Sequence, residues 1–191
     1  MKKVVMFLSR PHGFDVLKKL IESNYEILCV YTHALNPRSQ DPNRSERSDF
    51  RSFVDICQKH KIPLVSIDKK DEIPKVPECD FIIEVSWRYL IPKEITQKSR
   101  IASFGIHRGK LPEYAGAEPI KQALTNNEKE IIVSSHELLP EIDGGKTIAF
   151  EKHNVNYKQD QSLEKNIQRL RDEITPLFSK LAMRTLKQLE K

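Results

Sequence analysis

The chain has 191 residues, of which 38% are hydrophobic and 31% are charged, and its formal net charge is +5. This length and composition predict one folded domain over residues 1–191 and exclude a disordered protein. The excess of basic residues is small and scattered, which does not indicate a nucleic-acid-binding protein. No apolar run approaches the roughly 20 residues that are needed to span a bilayer. We therefore expect neither a nucleic-acid partner nor a membrane partner.

The three cysteines, Cys29, Cys57 and Cys79, lie far apart and show no metal-ligand spacing. Cys29 and Cys79 sit in apolar runs, which favours buried free thiols over a redox role. The first residues, MKKVVMFLSR, are too short an apolar run for a signal peptide and predict a first strand. An odd cysteine count without such a signal indicates a cytoplasmic location.

The first half of the chain predicts a strand–helix–strand unit. Residues 3–9 form a continuous apolar and β-branched run, an amphipathic helix follows to about residue 24, and residues 25–32 form a second apolar run. A parallel pair with a helical crossover is the expected product. Residues 34–47 are polar and without periodicity, which predicts a long loop of the kind that is often functional.

The remaining elements continue this alternation. The patterns predict helices over 48–60, 91–98 and 117–127, strands over 63–68, 79–87, 101–107, 130–139 and 146–155, and a C-terminal helix capped by Ser162 and interrupted at Pro176. Together they predict an α/β fold with an open, mostly parallel, twisted sheet and helices on both faces. The apolar stripe of the last helix predicts packing on that sheet, with a homodimer seam as the alternative.

His107 ends the predicted strand 101–107, and ligands of open α/β sheets bind at the carboxyl ends of strands. The sequence contains no GxGxxG, P-loop, HExxH or GxSxG motif, and its six histidines are dispersed. This leaves acid–base chemistry by histidine and carboxylate, without a metal. His107 is the candidate base, with an ordinary loop histidine as the alternative, and Asp143 is the candidate carboxylate, with a structural Asp-Gly turn as the alternative.

Two segments, FGIHRGKLPEYAGAEP and VSSHELLPEIDGG, resemble the catalytic region of the 10-formyltetrahydrofolate-dependent formyltransferases. That superfamily carries a motif close to Asn-x-His-x-Ser-Leu-Leu-Pro-x-Tyr-x-Gly-x-x-Pro, followed about three dozen residues later by Asp-x-Gly. The first part of the motif is matched by His107, Leu111, Pro112, Tyr114, Gly116 and Pro119, and the second by Asp143 and Gly145. The resemblance implies a Rossmann-like formyltransferase fold for the chain.

The resemblance also implies roles for individual residues. His107 is implied to handle the proton of the attacking amine, Asp143 to orient and charge-stabilise His107, and 10-formyltetrahydrofolate to be the co-substrate. The walls of its pterin slot are implied to be two short segments. The first comprises Ser86, Trp87, Arg88, Tyr89 and Leu90, and the second comprises Leu138, Leu139, Pro140, Glu141 and Ile142. For Trp87, plain packing is an equal alternative.

This chain departs from the motif at its asparagine, whose position is taken by Gly105. In the family, that amide donates to the formyl oxygen as negative charge develops, and removing one such donor typically costs on the order of 10²–10³ in rate. Either another donor substitutes, such as Ser103, Lys110 or a backbone N–H, or the activity is weak, altered or lost. The motif's serine is also replaced, by Gly109.

The acceptor is inferred by elimination among the family's branches. From the length we expect no tRNA-binding or regulatory domain, and the loop SRPHGF stands where the glycinamide ribonucleotide branch has a Gly/Ser-rich phosphate loop. We therefore expect a small amine, with a nucleotide-linked amino sugar as the leading candidate. Candidate substrate-binding residues are Arg10, His12, Lys110 and Tyr114. Arg10 together with Arg38, Arg44 and Arg47 is a candidate set for contacting a pyrophosphate, with a solvated, mobile basic loop as the alternative. The alternatives are a 10-formyltetrahydrofolate hydrolase and a catalytically impaired binding protein.

Overall fold

The apolar run at the start of the chain forms an inner strand of a seven-stranded sheet in the computed structural model, which describes residues 1–72 and 74–191. The strands are β1 (Lys2–Leu8), β2 (Tyr25–Thr32), β3 (Leu64–Ser66), β4 (Cys79–Val85), β5 (Ser99–His107), β6 (Glu130–Glu137) and β7 (Thr147–Asn154). The helices are α1 (Arg10–Ile21), α2 (Phe50–Lys59), α3 (Lys93–Thr96), α4 (Pro119–Thr125), α5 (Leu163–Glu173) and α6 (Thr175–Leu189).

The strand order is β3-β2-β1-β4-β5-β6-β7. The first five strands of that order run parallel, and β6 and β7 are added antiparallel at one edge. The central strands β1 and β4 are buried on both faces over most of their length, which explains why their sequences are continuous apolar runs rather than alternating patterns. The predicted fold class is confirmed, and the carboxyl ends of β1, β4 and β5 meet at one edge of the sheet.

The helices cover the two faces of the sheet unequally. One face carries the larger core, to which α1, α2, α4, α5 and α6 contribute apolar side chains. The other face carries a smaller core under α3 and neighbouring irregular segments, built around Phe7, Tyr31 and Ile82. The asymmetry leaves space beside the smaller core, at the edge where the carboxyl ends of the parallel strands lie.

The C-terminal region follows the predicted pattern. Ser162 caps α5 by accepting from the Lys165 backbone N–H at 3.2 Å, and Pro176 lies in the first turn of the separate helix α6. Leu170, Ile174 and Leu181 are fully buried in the larger core. The stripe therefore packs on the sheet, and a homodimer stays a prediction. Within the described ranges, no helix is both long and apolar enough to cross a membrane.

Phe81 lies on β4, is fully buried and belongs to the larger core. We expect Phe81→Ala to lower the free energy of unfolding by about 3–5 kcal/mol, because it leaves a cavity between β4 and the helices. The matched control is Phe150→Ala, since Phe150 on β7 is 49% exposed, and it should cost less than about 1 kcal/mol. Denaturant unfolding measures both values, and equal losses would contradict this description of the core.

Candidate functional site

A cleft of about 780 Å³ opens at the carboxyl ends of the parallel strands. Its floor includes Glu84 from the end of β4 and His107 from the end of β5, and Arg10 at the start of α1 forms part of its rim. Asp143, in the loop between β6 and β7, lies beside His107 and lines the same cleft. The structure therefore brings together the two residues that the sequence singled out for acid–base chemistry.

The imidazole of His107 is held between two acceptors. Its Nε2 lies 2.7 Å from the backbone oxygen of Tyr114, and its Nδ1 lies 3.2 Å from Oδ2 of Asp143. Because a carbonyl can only accept, Nε2 carries the proton of the neutral ring and Nδ1 is left as the basic nitrogen. Burial lowers the pKa of His107, while Asp143 and the Tyr114 carbonyl oppose that shift. The ring is therefore neutral at neutral pH and ready to accept a proton at Nδ1.

Asp143 is fixed from two sides. Its Oδ2 accepts the backbone N–H of Gly116 at 2.8 Å, which ties the loop after β6 to the loop after β5. Two residues on, Gly145 packs so closely on β6 that a Cβ there would lie 1.9 Å from the Glu137 backbone oxygen. Any side chain at Gly145 would displace this loop, which is a physical reason for the glycine of the Asp-x-Gly motif.

Two further titratable groups, for which the sequence predicted no role, border the space beside Gly105. Glu84 and His136 pair in register with Gly105 from the two neighbouring strands, β4 and β6. Burial, with Asp143 nearby, raises the pKa of Glu84 to about 8. Burial lowers the pKa of His136, whose Nε2 lies 3.5 Å from Oδ1 of Asp143. A carboxylate inside the apolar run CDFIIEV was the signal that could have pointed to Glu84.

The segment after β4 forms one wall of the cleft. Ser86, Trp87, Arg88, Tyr89 and Leu90 all line it. Trp87 stacks on His33 with ring centroids 3.9 Å apart, and its backbone N–H donates to Oε1 of Glu84 at 2.7 Å. Trp87 is therefore both packed and part of the wall. Leu90 is 54% exposed, which presents an apolar surface to the cleft.

The opposite wall comes from the segment after β6. Leu138, Leu139, Glu141 and Ile142 line the cleft, whereas Pro140 does not. Leu139 and Ile142 are 45% and 65% exposed, which is unusual for such large apolar side chains. The cleft thus has exposed apolar groups on both walls and titratable groups on its floor, the composition expected of a site for a flat, partly apolar ligand.

Three arginines gather at the other end of the cleft. Arg10, Arg108 and Arg171 line it, and none of the three forms an ion pair with another described residue. Burial, together with the charges of Arg171 and Arg10, lowers the pKa of Arg108 to about 10. The buried Nε of Arg171 has no hydrogen-bond partner among the described residues. Converging, unpaired guanidinium groups are suited to an anionic ligand.

His12 borders the same end of the cleft but is packed. It is 4% exposed, stacks on Phe178 at 4.3 Å, and its Nε2 donates to the backbone oxygen of Arg171 at 3.1 Å. Burial lowers the pKa of His12 to about 4. His12 therefore stays neutral and supports the backbone that carries Arg171. Arg10 donates to Oε1 of Gln40 at 2.6 Å, so the long loop 34–47 reaches the cleft through Gln40.

Other predicted substrate-binding side chains lie elsewhere. Lys110 pairs with Glu113 at 2.6 Å, and the Tyr114 hydroxyl donates to Glu128 at 2.7 Å, so both side chains point away from the cleft. Arg44 forms a hydrogen bond and an ion pair with Asp68. Arg47 is buried and donates two hydrogen bonds to the Asp49 carboxylate. Arg38 is exposed and does not line the cleft. The residues that sequence reasoning missed, Arg108 and Arg171, belong to a loop and to α5.

Among residues 1–72 and 74–191, no group of three or more His, Cys, Asp or Glu side chains is arranged to hold a metal ion. The three cysteines are buried, and burial raises the pKa of the Cys57 and Cys79 thiols to about 11. His107, Asp143, His136 and Glu84 are titratable side chains that line the cleft and can exchange protons there.

Comparison with known proteins gives the family. A family model described as "Formyl transferase" matches residues 2–180. The chain is 29% identical over 147 residues to the methionyl-tRNA formyltransferase of Lactobacillus delbrueckii subsp. bulgaricus, which covers 74% of this chain and 45% of that protein. The chain therefore spans less than half the length of this curated relative.

Solved structures share the fold. A formyltetrahydrofolate deformylase from Pseudomonas syringae pv. tomato superposes with a TM-score of 0.70 at 24% identity, covering 99% of this chain and 61% of that one. WlaRD, a sugar 3N-formyl transferase solved with dTDP and 5-N-formyl-THF, superposes with a TM-score of 0.64 at 19% identity, covering 99% of this chain and 64% of that one. At these identities the likeness concerns the fold alone.

Proposed function

The chain belongs to the formyl transferase family, and we propose that it transfers a formyl group from 10-formyltetrahydrofolate to the primary amine of a phosphate-bearing acceptor, a nucleotide-linked amino sugar. The observation that carries this proposal is the pair formed by His107 and Asp143, 3.2 Å apart on the floor of a cleft at the carboxyl end of the sheet. 10-Formyltetrahydrofolate supplies an electrophilic formyl carbon bonded to N10.

His107 and Asp143 would handle the proton of the amine. As the amine nitrogen bonds to the formyl carbon, it becomes more acidic, and Nδ1 of neutral His107 can accept its proton. The resulting imidazolium donates to the Tyr114 carbonyl and to the Asp143 carboxylate, so both of its N–H groups have acceptors at hydrogen-bond distance. Asp143 thereby stabilises the charge that His107 acquires.

The apolar walls supply the folate slot in this proposal. Three exposed apolar side chains line the cleft, Leu90 on one wall and Leu139 and Ile142 on the other. A flat heterocycle bound between the walls would cover them and remove apolar surface from water. WlaRD, which shares the fold, was solved with a formylated folate. The apolar walls and the acid–base pair lie in one cleft, as formyl transfer from a folate requires.

The three unpaired arginines support the acceptor class. Arg10, Arg108 and Arg171 concentrate positive charge at one end of the cleft, and none of them forms an ion pair with a described carboxylate. Phosphate and pyrophosphate groups accept the forked hydrogen bonds of guanidinium groups and restore charge balance. An acceptor with an amine at His107 and a pyrophosphate at these arginines fits both ends of the cleft.

The test is to incubate the pure protein with 10-formyltetrahydrofolate and a panel of nucleotide-linked amino sugars, following folate absorbance and product mass. A product heavier by one formyl group, formed at the expense of the folate, supports the proposal and identifies the acceptor. Folate release with formate and no adduct would instead indicate the hydrolase. Thermal stabilisation by folate without turnover would indicate a binding protein.

Arg108→Gln tests the acceptor site separately. Removing one guanidinium from the cluster should raise the KM for the acceptor at least tenfold, because each charge-assisted contact to a phosphate contributes about 1.5–3 kcal/mol. The KM for the folate should stay within about twofold. The control is Arg51→Gln, an arginine on the surface of α2 that pairs with Asp55. Initial-rate kinetics with each substrate varied in turn measures both constants, and an unchanged acceptor KM would contradict this assignment.

A further inference from the structure

The space that a side chain at Gly105 would occupy is bordered by two polar groups. A Cβ built on Gly105 would lie 2.9 Å from Oε2 of Glu84 and 2.9 Å from Nε2 of His136. Both neighbours pair in register with Gly105, so the three residues form one row across β4, β5 and β6 on the face of the sheet that carries His107. A larger residue at position 105 and the present placement of Glu84 therefore exclude each other.

We propose that the carboxylic acid of Glu84 donates, through Oε2–H, the hydrogen bond to the formyl oxygen that an amide at position 105 supplies in other members of the family. The inference rests on the proposed formyl transfer and identifies a further catalytic residue for it. Glu84 lies on the strand next to that residue, and Oε2 borders the space that such an amide would fill.

The surroundings of Glu84 place its proton on Oε2. Oε1 accepts the Trp87 backbone N–H at 2.7 Å, so the oxygen that remains to carry a proton is Oε2, which faces Gly105. The strand on the other side, β1, contributes apolar Phe7 in register with Glu84. The charged group that acts on Glu84 is the Asp143 carboxylate, which disfavours a second negative charge. At neutral pH the carboxyl group is therefore mostly protonated.

His136, the other neighbour of this space, is an acceptor. Its Nδ1 lies 3.0 Å from the Glu137 backbone oxygen, so Nδ1 carries the proton of the neutral ring, and its buried Nε2 has no hydrogen-bond partner among the described residues. A ring nitrogen without a proton cannot stabilise an oxyanion. Of the two groups that border the space, Glu84 is therefore the one that can donate.

The other candidate donors are committed elsewhere. The Ser103 hydroxyl donates to the Thr96 backbone oxygen at 2.9 Å, beside α3. The Lys110 ammonium pairs with Glu113 at 2.6 Å and lies outside the cleft. Neither side chain lies where a donor to the formyl oxygen is required. Of these three side chains, Glu84 is therefore the one that can donate.

The proposed formyl transfer forms one C–N bond and breaks another. The amine lone pair forms the C–N bond, the C=O π pair moves onto the formyl oxygen, and that oxygen accepts the hydrogen bond of Glu84 without taking its proton. The amine proton passes to His107 and then to N10. The oxygen pair returns to the C=O bond as the C–N10 bond breaks, which leaves tetrahydrofolate and the formylated amine. Glu84 ends protonated as it began.

The test compares Glu84→Ala, Glu84→Gln and the double variant Glu84→Ala/Gly105→Asn. Glu84→Ala should lower kcat about 10²–10³-fold by removing the donor, with a smaller change in KM. Glu84→Gln should recover at least tenfold of that loss, since an amide N–H also donates. It should also lack the decline in kcat that the wild type shows as pH rises through about 8. The double variant should recover activity, because removing the carboxyl group lets the His136 ring move aside and makes room for the amide.

The controls separate failure of this inference from failure of the proposed function. Glu94→Ala, an exposed glutamate on α3, should retain wild-type kcat. Wild-type protein that neither transfers nor releases the formyl group would overturn the proposed function. If the wild type is active, two results would overturn the role of Glu84 alone. One is a Glu84→Ala variant as active as the wild type. The other is a Glu84→Gln variant as impaired as Glu84→Ala, with an unchanged melting temperature. A ¹³C titration of the Glu84 carboxyl group reports its protonation without any turnover, and ionisation below pH 6 would also overturn it.

Discussion

His107→Ala is expected to lower kcat for formyl transfer by about 10³-fold while leaving the folded protein intact. The substitution removes the one ring whose basic nitrogen, Nδ1, lies 3.2 Å from the Asp143 carboxylate. The loss in folding free energy should be on the order of 1 kcal/mol, because one hydrogen bond to the Tyr114 carbonyl disappears. Folate absorbance measures turnover, and a melting curve with and without folate measures folding and binding.

The control for that experiment is His60→Ala, since His60 is exposed at the end of α2. It should retain full turnover. A His107→Ala protein that folds, binds folate and turns over at more than about a tenth of the wild-type rate would contradict the acid–base role, because general acid–base catalysis contributes at least 10²-fold in most enzymes.

Much of the fold follows from the sequence because its local and long-range signals agree. The runs that form β1 and β2 are apolar on both sides, as expected of parallel strands beneath helices, and His107 follows such a run directly. The boundaries are less well determined: β3 has three residues, Leu64–Ser66, where the pattern predicted 63–68. The last residue of β3, Ser66, pairs with Thr32, the last residue of its neighbour β2. The end of β3 therefore depends on where β2 ends, and the local sequence of β3 does not encode that.

The pairing of His107 with Asp143 was predictable because the motif contains both residues, one at the end of β5 and one in the loop after β6. The charge distribution of the site was not predictable. Arg171 lies on α5, far along the chain from the motif, and lines the cleft only because α5 packs against α4 and α6. Lys110 and Tyr114 match or adjoin the motif, yet their side chains turn toward Glu113 and Glu128. Spacing along a loop does not reveal side-chain direction, and the register that joins Glu84 to Gly105 appears only once β4 and β5 are paired.

Asp143→Asn is the second large effect, and we expect kcat to fall by about 10³–10⁴-fold. The amide keeps the shape of the side chain and can still accept the Gly116 N–H, so the loop should stay in place. The variant loses the negative charge that stabilises protonated His107, because the amide oxygen that takes the place of Oδ2 faces Nδ1 as a neutral acceptor. Asp160→Asn, at an exposed loop position, is the matched control and should retain wild-type turnover.

The pH profile of Asp143→Asn gives the sharper readout, because the charge of Asp143 raises the pKa of both groups that are proposed to titrate in the reaction. Its charge raises the pKa of His107 and the pKa of Glu84, so removing it lowers both. In the wild type, kcat should rise with pH as His107 loses its proton, with a pKa below the ordinary histidine value of 6.5. It should fall again as Glu84 ionises with a pKa of about 8. In Asp143→Asn both limbs should move to lower pH together. Movement of the acidic limb alone would separate Glu84 from the reaction, and an unmoved profile would show that Asp143 does not act through charge.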